Sequence, residues 1–259
     1  MMTKSDSVKR TADPAANPAQ GTTAMLKNVA AFMALTRRLQ SRDFTLPGIG
    51  VFHGYSGYGK SMAAIYAQNK TGAIYVEVGE SWTKKTLIQK ILFEAGGQPR
   101  GTIADMTEKV IATLGQDPDR PLIIDEADKL VDKGNIEIVR EIHDAAQVPV
   151  ILIGEEQLPA KLISVERVHN RVLDWTAAQP CDLEDARALA ELFVGDVEIG
   201  DDLLAEICRQ SDGRARRIVV NLYKVREHGR NTGAMMLDQT SYKGGFFTGQ
   251  PPVRKRRAA

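Results

Sequence analysis

The chain has 259 residues, of which 43% are hydrophobic and 26% charged, with a formal net charge of +1. That length suits one large domain with a smaller companion, and the hydrophobic share is enough to bury a core. The charge balance excludes a whole-chain field toward nucleic acid or membrane, so any such attraction must come from local patches.

Residues 1–24 are polar and rich in Ala, Pro, Ser and Thr, and read as a flexible N-terminal segment. Over residues 25–39 apolar side chains recur three or four apart (Leu26, Val29, Phe32, Leu35, Leu39), the spacing of a helix. Pro47 and Gly48 stop the chain before a short apolar strand at 49–52. An alternation follows: helix 61–68, strand 73–78, helices 83–95 and 105–114, strand 121–124, helix 135–146, strand 148–153 and a short final strand at 173–175. Runs such as Leu122-Ile123-Ile124 and Val150-Ile151-Leu152-Ile153 are continuously apolar, which suits a parallel sheet covered by helices on both faces.

After Cys181 strands stop and helices continue, over 182–193, 201–210 and 214–228. Asp182 can cap the first, with Asp185 adding negative charge in its first turn. Gly213 and Gly229 sit where helix C-termini favour a left-handed residue. Residues 181–230 therefore read as a small helical domain, and 231–259 as a tail ending in the basic run Arg254-Lys255-Arg256-Arg257. Cys181 and Cys208 give no framework spacing and read as free thiols of a reducing compartment. No stretch approaches about 18 apolar residues, and the N-terminus lacks the apolar core of a signal peptide. A cytoplasmic protein without a membrane partner is expected.

The motif with the most specific chemistry is Gly54-Tyr55-Ser56-Gly57-Tyr58-Gly59-Lys60-Ser61, which matches G-x-x-x-x-G-K-[ST] between an apolar strand and a helix. Its glycines let the backbone fold tightly, so that successive N–H groups point at phosphate oxygens. Lys60 supplies charge for the β- and γ-phosphates, the Ser61 hydroxyl ligates magnesium, and the helix running on through Met62 aims its positive end at the anion. The complementary half is Asp125-Glu126, at the end of an apolar strand about 65 residues further on. Asp125 would hold magnesium, and Glu126 would polarise the attacking water as general base. The expected fold is thus α/β: a P-loop NTPase domain over 25–180, three layers around a parallel sheet, with a helical lid. The expected cofactors are ATP and magnesium. Glu155, at the end of the next strand, either senses the γ-phosphate or faces solvent at a helix start.

Phosphoryl transfer gains from a cation at the γ-phosphate, often delivered by a neighbouring subunit. Arg167 and Arg171 precede the last strand. In a helix their spacing would put both on one face, to reach across an interface or to pair locally. Gly213-Arg214-Ala215-Arg216-Arg217 opens a helix, where cations are electrostatically unfavourable and imply an anionic neighbour. Arg216 is the first choice for that contact.

This set of motifs resembles the AAA+ ATPases. Within them, the aromatic-containing loop at 54–61, Val76-Glu77-Val78 leading into Trp82-Thr83-Lys84-Lys85-Thr86-Leu87, and residues 122–128 resemble the transposition ATPases, such as the Mu phage B protein, TniB and TnsC. The resemblance runs from about Met25 to Arg230. Glu155 departs from it, standing where Asn or Thr is commoner, and the N-terminal segment reads as too short for the separate helix-turn-helix domain of the Mu protein. The resemblance implies an ATP-dependent oligomer or helical filament that assembles on double-stranded DNA, in a bacterial cytoplasm, recruits a cognate transposase, and disassembles on hydrolysis.

In the resembling proteins the loops matching Lys84-Lys85 and Arg100 with Thr102 grip DNA phosphates. Here they carry charge and hydroxyls but no base-reading chemistry, so binding with little sequence preference and strong salt dependence is expected. Lys84-Lys85 equally suits a solvated helix end, and Trp82 a packing role. The near-zero charge leaves an alternative open: a regulatory AAA+ switch on protein partners, without DNA.

Overall fold

The computed structural model describes residues 24–251. Five parallel strands, β1 (Ile49–His53), β2 (Ile74–Glu77), β3 (Leu122–Asp125), β4 (Val150–Gly154) and β5 (Val172–Ala177), form one sheet in the order β2-β3-β4-β1-β5. Side chains of a strand alternate between faces, and the core divides accordingly. Phe52, Ile123, Ile151 and Ile153 pack on one side, and Ile49, Val51, Leu122, Ile124, Val150 and Leu152 on the other. Helices α1 (Lys27–Gln40) and α2 (Lys60–Thr71) cover the first face through Phe32, Leu35, Leu39, Ala63 and Ala67. Helices α3 (Lys84–Glu94), α4 (Ile103–Leu114), α5 (Asp128–Asp132), α6 (Glu137–Ala146), α7 (Leu158–Ile163) and α8 (Glu166–His169) contribute to the core on the second. This is the expected three-layer α/β architecture.

The final strand is longer than the sequence suggests, and only half-buried because it lies at the sheet edge. Three helices escape the periodicity. With 5, 6 and 4 residues, α5, α7 and α8 are too short to display one. The last matters for function, because α8 ends at His169 and leaves Arg171 in the turn beyond it. The two arginines therefore do not share a helix face.

Beyond β5, α9 (Leu183–Phe193), α10 (Asp201–Gln210) and α11 (Ala215–Thr232) form the helical unit. Asp182 caps α9 in a reciprocal box with Asp185, as expected. Its apolar residues Leu203, Ile218, Leu222 and Val225 join the same core as Phe32 and Phe52.

Strands do not stop at Cys181. Short β6 (Glu198–Ile199) pairs with β7 (Met236–Leu237), drawing the segment after α11 back onto the unit. Tyr242 is buried there, and the Phe247 N–H donates to Asn221 Oδ1 at 2.6 Å. The segment read as a tail therefore packs through much of its length. Gly229 lies inside α11, where a Cβ would stand 3.0 Å from a Val197 methyl, and the left-handed residue ending that helix is Gly233, at φ +71°. Residues 1–23 and the run Arg254-Lys255-Arg256-Arg257 lie outside the described residues.

Candidate nucleotide-binding site

The strand order sets the carboxyl ends of β1, β4 and β3 side by side, the edge at which open α/β sheets bind ligands. The loop after β1 turns on Gly54, Gly57 and Gly59, at φ +153°, +90° and +83°, angles that L side chains rarely adopt. Gly54 also lies close under Ala178, whose Cβ would be 3.1 Å from an added one. Gly59 is the left-handed N-cap of α2. The first amides of α2, including those of Ser61 and Met62, have no intrahelical acceptor and are available to an anion. The Lys60 ammonium donates to the carbonyls of Gly54 at 2.6 Å and Tyr55 at 3.0 Å, and Tyr55 and Tyr58 meet edge to face.

Across the edge, Asp125 is 2% exposed. Its Oδ1 accepts from the Glu126 N–H at 2.8 Å and its Oδ2 from the Tyr75 hydroxyl at 3.0 Å. Glu126 sits at φ +59°, a left-handed turn that costs a non-glycine residue about 1–2 kcal/mol. The next amide, Ala127 N–H, is held by the Ile153 carbonyl at 2.8 Å. Such strain is held by its surroundings and clusters at functional sites. The Glu126 carboxylate is partly exposed, with Lys129 Nζ 3.3 Å away. The Glu155 side chain is exposed, and its N–H donates to Asp128 Oδ2 at 2.8 Å, so Asp128 ties the end of β4 to α5.

Burial pushes the Lys60 ammonium down from its ordinary range, while Asp125, Glu155, Glu126 and Asp128 draw it back up. One lysine and four carboxylates thus share a field. At the end of β1, His53 is held below the ordinary histidine range, first by burial and then by the charge of Lys60.

The donor set fits a nucleotide carried with magnesium. Among the described residues no three His, Cys, Asp or Glu side chains converge as a metal cage. Magnesium, however, takes one or two protein oxygens and completes its shell from phosphates and water. Ser61, at the start of α2, and Asp125, at the end of β3, carry oxygens of the kind such a shell takes.

The four arginines have different surroundings. Arg214, not Arg216, sends its side chain to the phosphate loop: its guanidinium donates to the Ser56 carbonyl at 2.6 Å and lies over the Tyr55 ring. Arg216 contributes its amide, which donates to the Gly57 carbonyl at 3.3 Å, while its side chain is exposed. Arg171 is paired within the chain, its Nε 2.8 Å from Asp144 Oδ1. Burial alone would raise the Asp144 carboxyl, but Arg171 and Arg140 outweigh it and hold it below the ordinary carboxylate range. Arg167 is exposed and has no ion pair among the described residues.

The basic loops lie at the two ends of α3. Lys84 and Lys85 are exposed in the first turn of α3, behind the cap residue Thr83, and Arg100 is exposed between α3 and α4. Thr102 is exposed as well. It caps α4, its Oγ1 accepting from the Asp105 N–H at 3.2 Å and its own N–H donating to the Asp105 carboxylate. Trp82 packs against the core beneath α3 and close over Gly79, which leaves no room for a side chain there.

Sequence reasoning missed Tyr75, His53, Asp128 and the Arg214 contact. The alternation of β2 carried a signal for Tyr75, which stands two residues before Glu77 and so shares its face.

A family model described as an AAA domain matches residues 43–162. No curated relative matches in sequence. Among solved structures, the Aeropyrum pernix ORC1 protein in complex with DNA is 15% identical, with 84% of this chain and 64% of that chain covered and a TM-score of 0.61. The A. pernix ORC2 protein, in ADPNP-ADP complexes, is 16% identical, with coverage of 82% and 65% and a TM-score of 0.58. The Thermotoga maritima RuvB Holliday junction branch migration motor is 18% identical, with coverage of 82% and 65% and a TM-score of 0.57. At these identities the likeness shows the fold, and the chain spans just under two thirds of each of those longer chains.

Proposed function

From a P-loop AAA+ fold in which a glycine-turned phosphate loop faces Asp125 and Glu126 across one sheet edge, we propose that this chain is an ATPase that works as an assembly on double-stranded DNA, with little sequence preference. The observation that carries the hydrolytic part is Glu126. It follows the buried Asp125 through a left-handed turn that leaves its carboxylate partly exposed at the carboxyl edge of the sheet.

In this reading Lys60 gives up the Gly54 and Tyr55 carbonyls for phosphate oxygens, and the α2 amides orient the same phosphates. Ser61 and Asp125 hold magnesium, which neutralises phosphate charge. Glu126 accepts the proton of the attacking water, and Glu155 lies close enough to contribute to the field at Lys60. Arg214 and Arg216 report the nucleotide to the helical unit. Arg167 is the cation best placed to act on a neighbouring subunit, since Arg171 is committed to Asp144.

The DNA part draws on relatives described as bound to DNA or acting at a Holliday junction, together with exposed Lys84, Lys85 and Arg100. The finer role, recruitment of a transposase by a filament in a bacterial cytoplasm, rests on the sequence resemblance. No described helix is long and apolar enough to cross a membrane.

Anisotropy of a fluorescent duplex of arbitrary sequence tests the reading. Binding is expected with ATP and magnesium, weakening steeply with salt. Binding to protein partners alone, with no ATP-dependent duplex binding, would favour the regulatory switch, which draws on exposed Phe44, Phe93 and Met235.

A further inference from the structure

We infer that Tyr75 is a positioning residue for magnesium binding, its hydroxyl fixing the orientation of the Asp125 carboxylate; this rests on the reading of the site as one for magnesium nucleotide. Tyr75 and Glu77 alternate on β2 and share a sheet face, and the register sets Glu77 beside Asp125. Tyr75 is then the diagonal neighbour of Asp125, a separation that long aromatic side chains span. The result is the 3.0 Å hydrogen bond from its hydroxyl to Oδ2.

Two donors, one to each oxygen, define the plane of this carboxylate: the Glu126 amide on Oδ1 and the Tyr75 hydroxyl on Oδ2. A carboxylate has about four acceptor sites, so each oxygen keeps one free. With Asp125 2% exposed, water is poorly placed to replace a lost donor. Magnesium demands near-ideal octahedral geometry, so a ligand free to rotate is a poorer ligand. The Tyr75 ring packs against the core shared by α2 and the helical unit, and that contact does not depend on the hydroxyl. Phenylalanine would keep the ring and remove only the donor.

The test is Tyr75→Phe, read by fluorescence of a labelled ATP analogue titrated in EDTA and again across a magnesium series. Affinity in EDTA is expected to match wild type, while half-saturating magnesium rises on the order of tenfold, the scale on which outer partners of a ligand act. In an Asp125→Asn background the second substitution should add little, because the pair acts as one unit. Coincident magnesium curves for Tyr75→Phe and wild type would overturn the inference while leaving the nucleotide reading standing. An equal loss of affinity in EDTA would also overturn it, by showing a general structural role. Failure of the wild-type chain to bind the analogue in either buffer would overturn the nucleotide reading itself.

Discussion

The guanidinium of Arg214 donates to the main-chain carbonyl of Ser56 at 2.6 Å and stands 5.7 Å from the centroid of the Tyr55 ring. With the Arg216 amide on the Gly57 carbonyl, it hooks the start of α11 to the outside of the phosphate loop. Position 57 needs glycine for its backbone, at φ +90°; a Cβ there would meet that of Arg214 only in ordinary contact, at 3.4 Å. The helical unit therefore feels any movement of the loop. Arg214→Ala is expected to weaken binding of a fluorescent ATP analogue several-fold, about 1 kcal/mol, the scale of one hydrogen bond in part-exposed surroundings. Unchanged affinity would remove Arg214 from the site.

Lys60→Ala should abolish nucleotide binding. The ammonium is held by the loop's own Gly54 and Tyr55 carbonyls, and the charges of Asp125, Glu155, Glu126 and Asp128 act on it. Without it their field opposes a polyphosphate. Calorimetry that finds wild-type ATP affinity in the variant would refute the assignment of the loop.

Glu126→Gln should bind ATP as wild type does and lose turnover by roughly a hundredfold or more, the scale of general-base catalysis. The amide preserves shape and the left-handed turn at φ +59°. Phosphate release at the normal rate would rule Glu126 out as base.

Arg171→Ala and Arg167→Ala are expected to separate structure from activity. The first removes the partner of Asp144 and should lower stability by up to about 1 kcal/mol, seen as a lower denaturation midpoint, because the pair is partly exposed. The second should leave the midpoint unchanged and lower turnover only under conditions of assembly. The reverse pattern would return the trans role to Arg171.

His143 gives a pH prediction. It is 3% exposed, with Nδ1 2.8 Å from the Val148 carbonyl, and burial pushes it below the ordinary value near 6.5, against the pull of that hydrogen bond. His53 is displaced in the same direction. The folded chain therefore resists protonation that the unfolded chain accepts, so stability should fall as pH drops below about 6.5. Urea midpoints at neutral and mildly acidic pH should show this slope, and His143→Gln should flatten it. A slope unaffected by the substitution would place its origin elsewhere.

Much of this was legible in the sequence because local rules and the fold agree. The phosphate loop needs glycines at fixed places, and the buried strands read as unbroken apolar runs such as 150–153. The cap at Asp182 followed from one side chain and its own helix. What was not legible depended on partners remote in the chain. The sequence leaves Arg171 open between an interface and a local pair because its partner Asp144 lies 27 residues away, and the helix that would present it ends at His169. Gly229 reads locally as a helix end, but its small size serves the packing of Val197. Alternation along β2 gives Tyr75 its face, but it reaches Asp125 across 50 residues through a strand pairing and register that the sequence does not state. The packing of residues 236–247 on the helical unit depends on Asn221 and on a ladder of two short strands, too brief to leave a signature.

On the proposed reading, nucleotide bound at Gly54–Ser61 and Asp125 drives assembly on duplex DNA. Electron microscopy of the chain with duplex DNA, in ATP and magnesium and separately in ADP, tests it most directly. Ordered assemblies along the DNA in ATP, lost in ADP and absent for Lys60→Ala, are the expected result. Bare duplex in every nucleotide state, or coating that ignores the nucleotide, would contradict it.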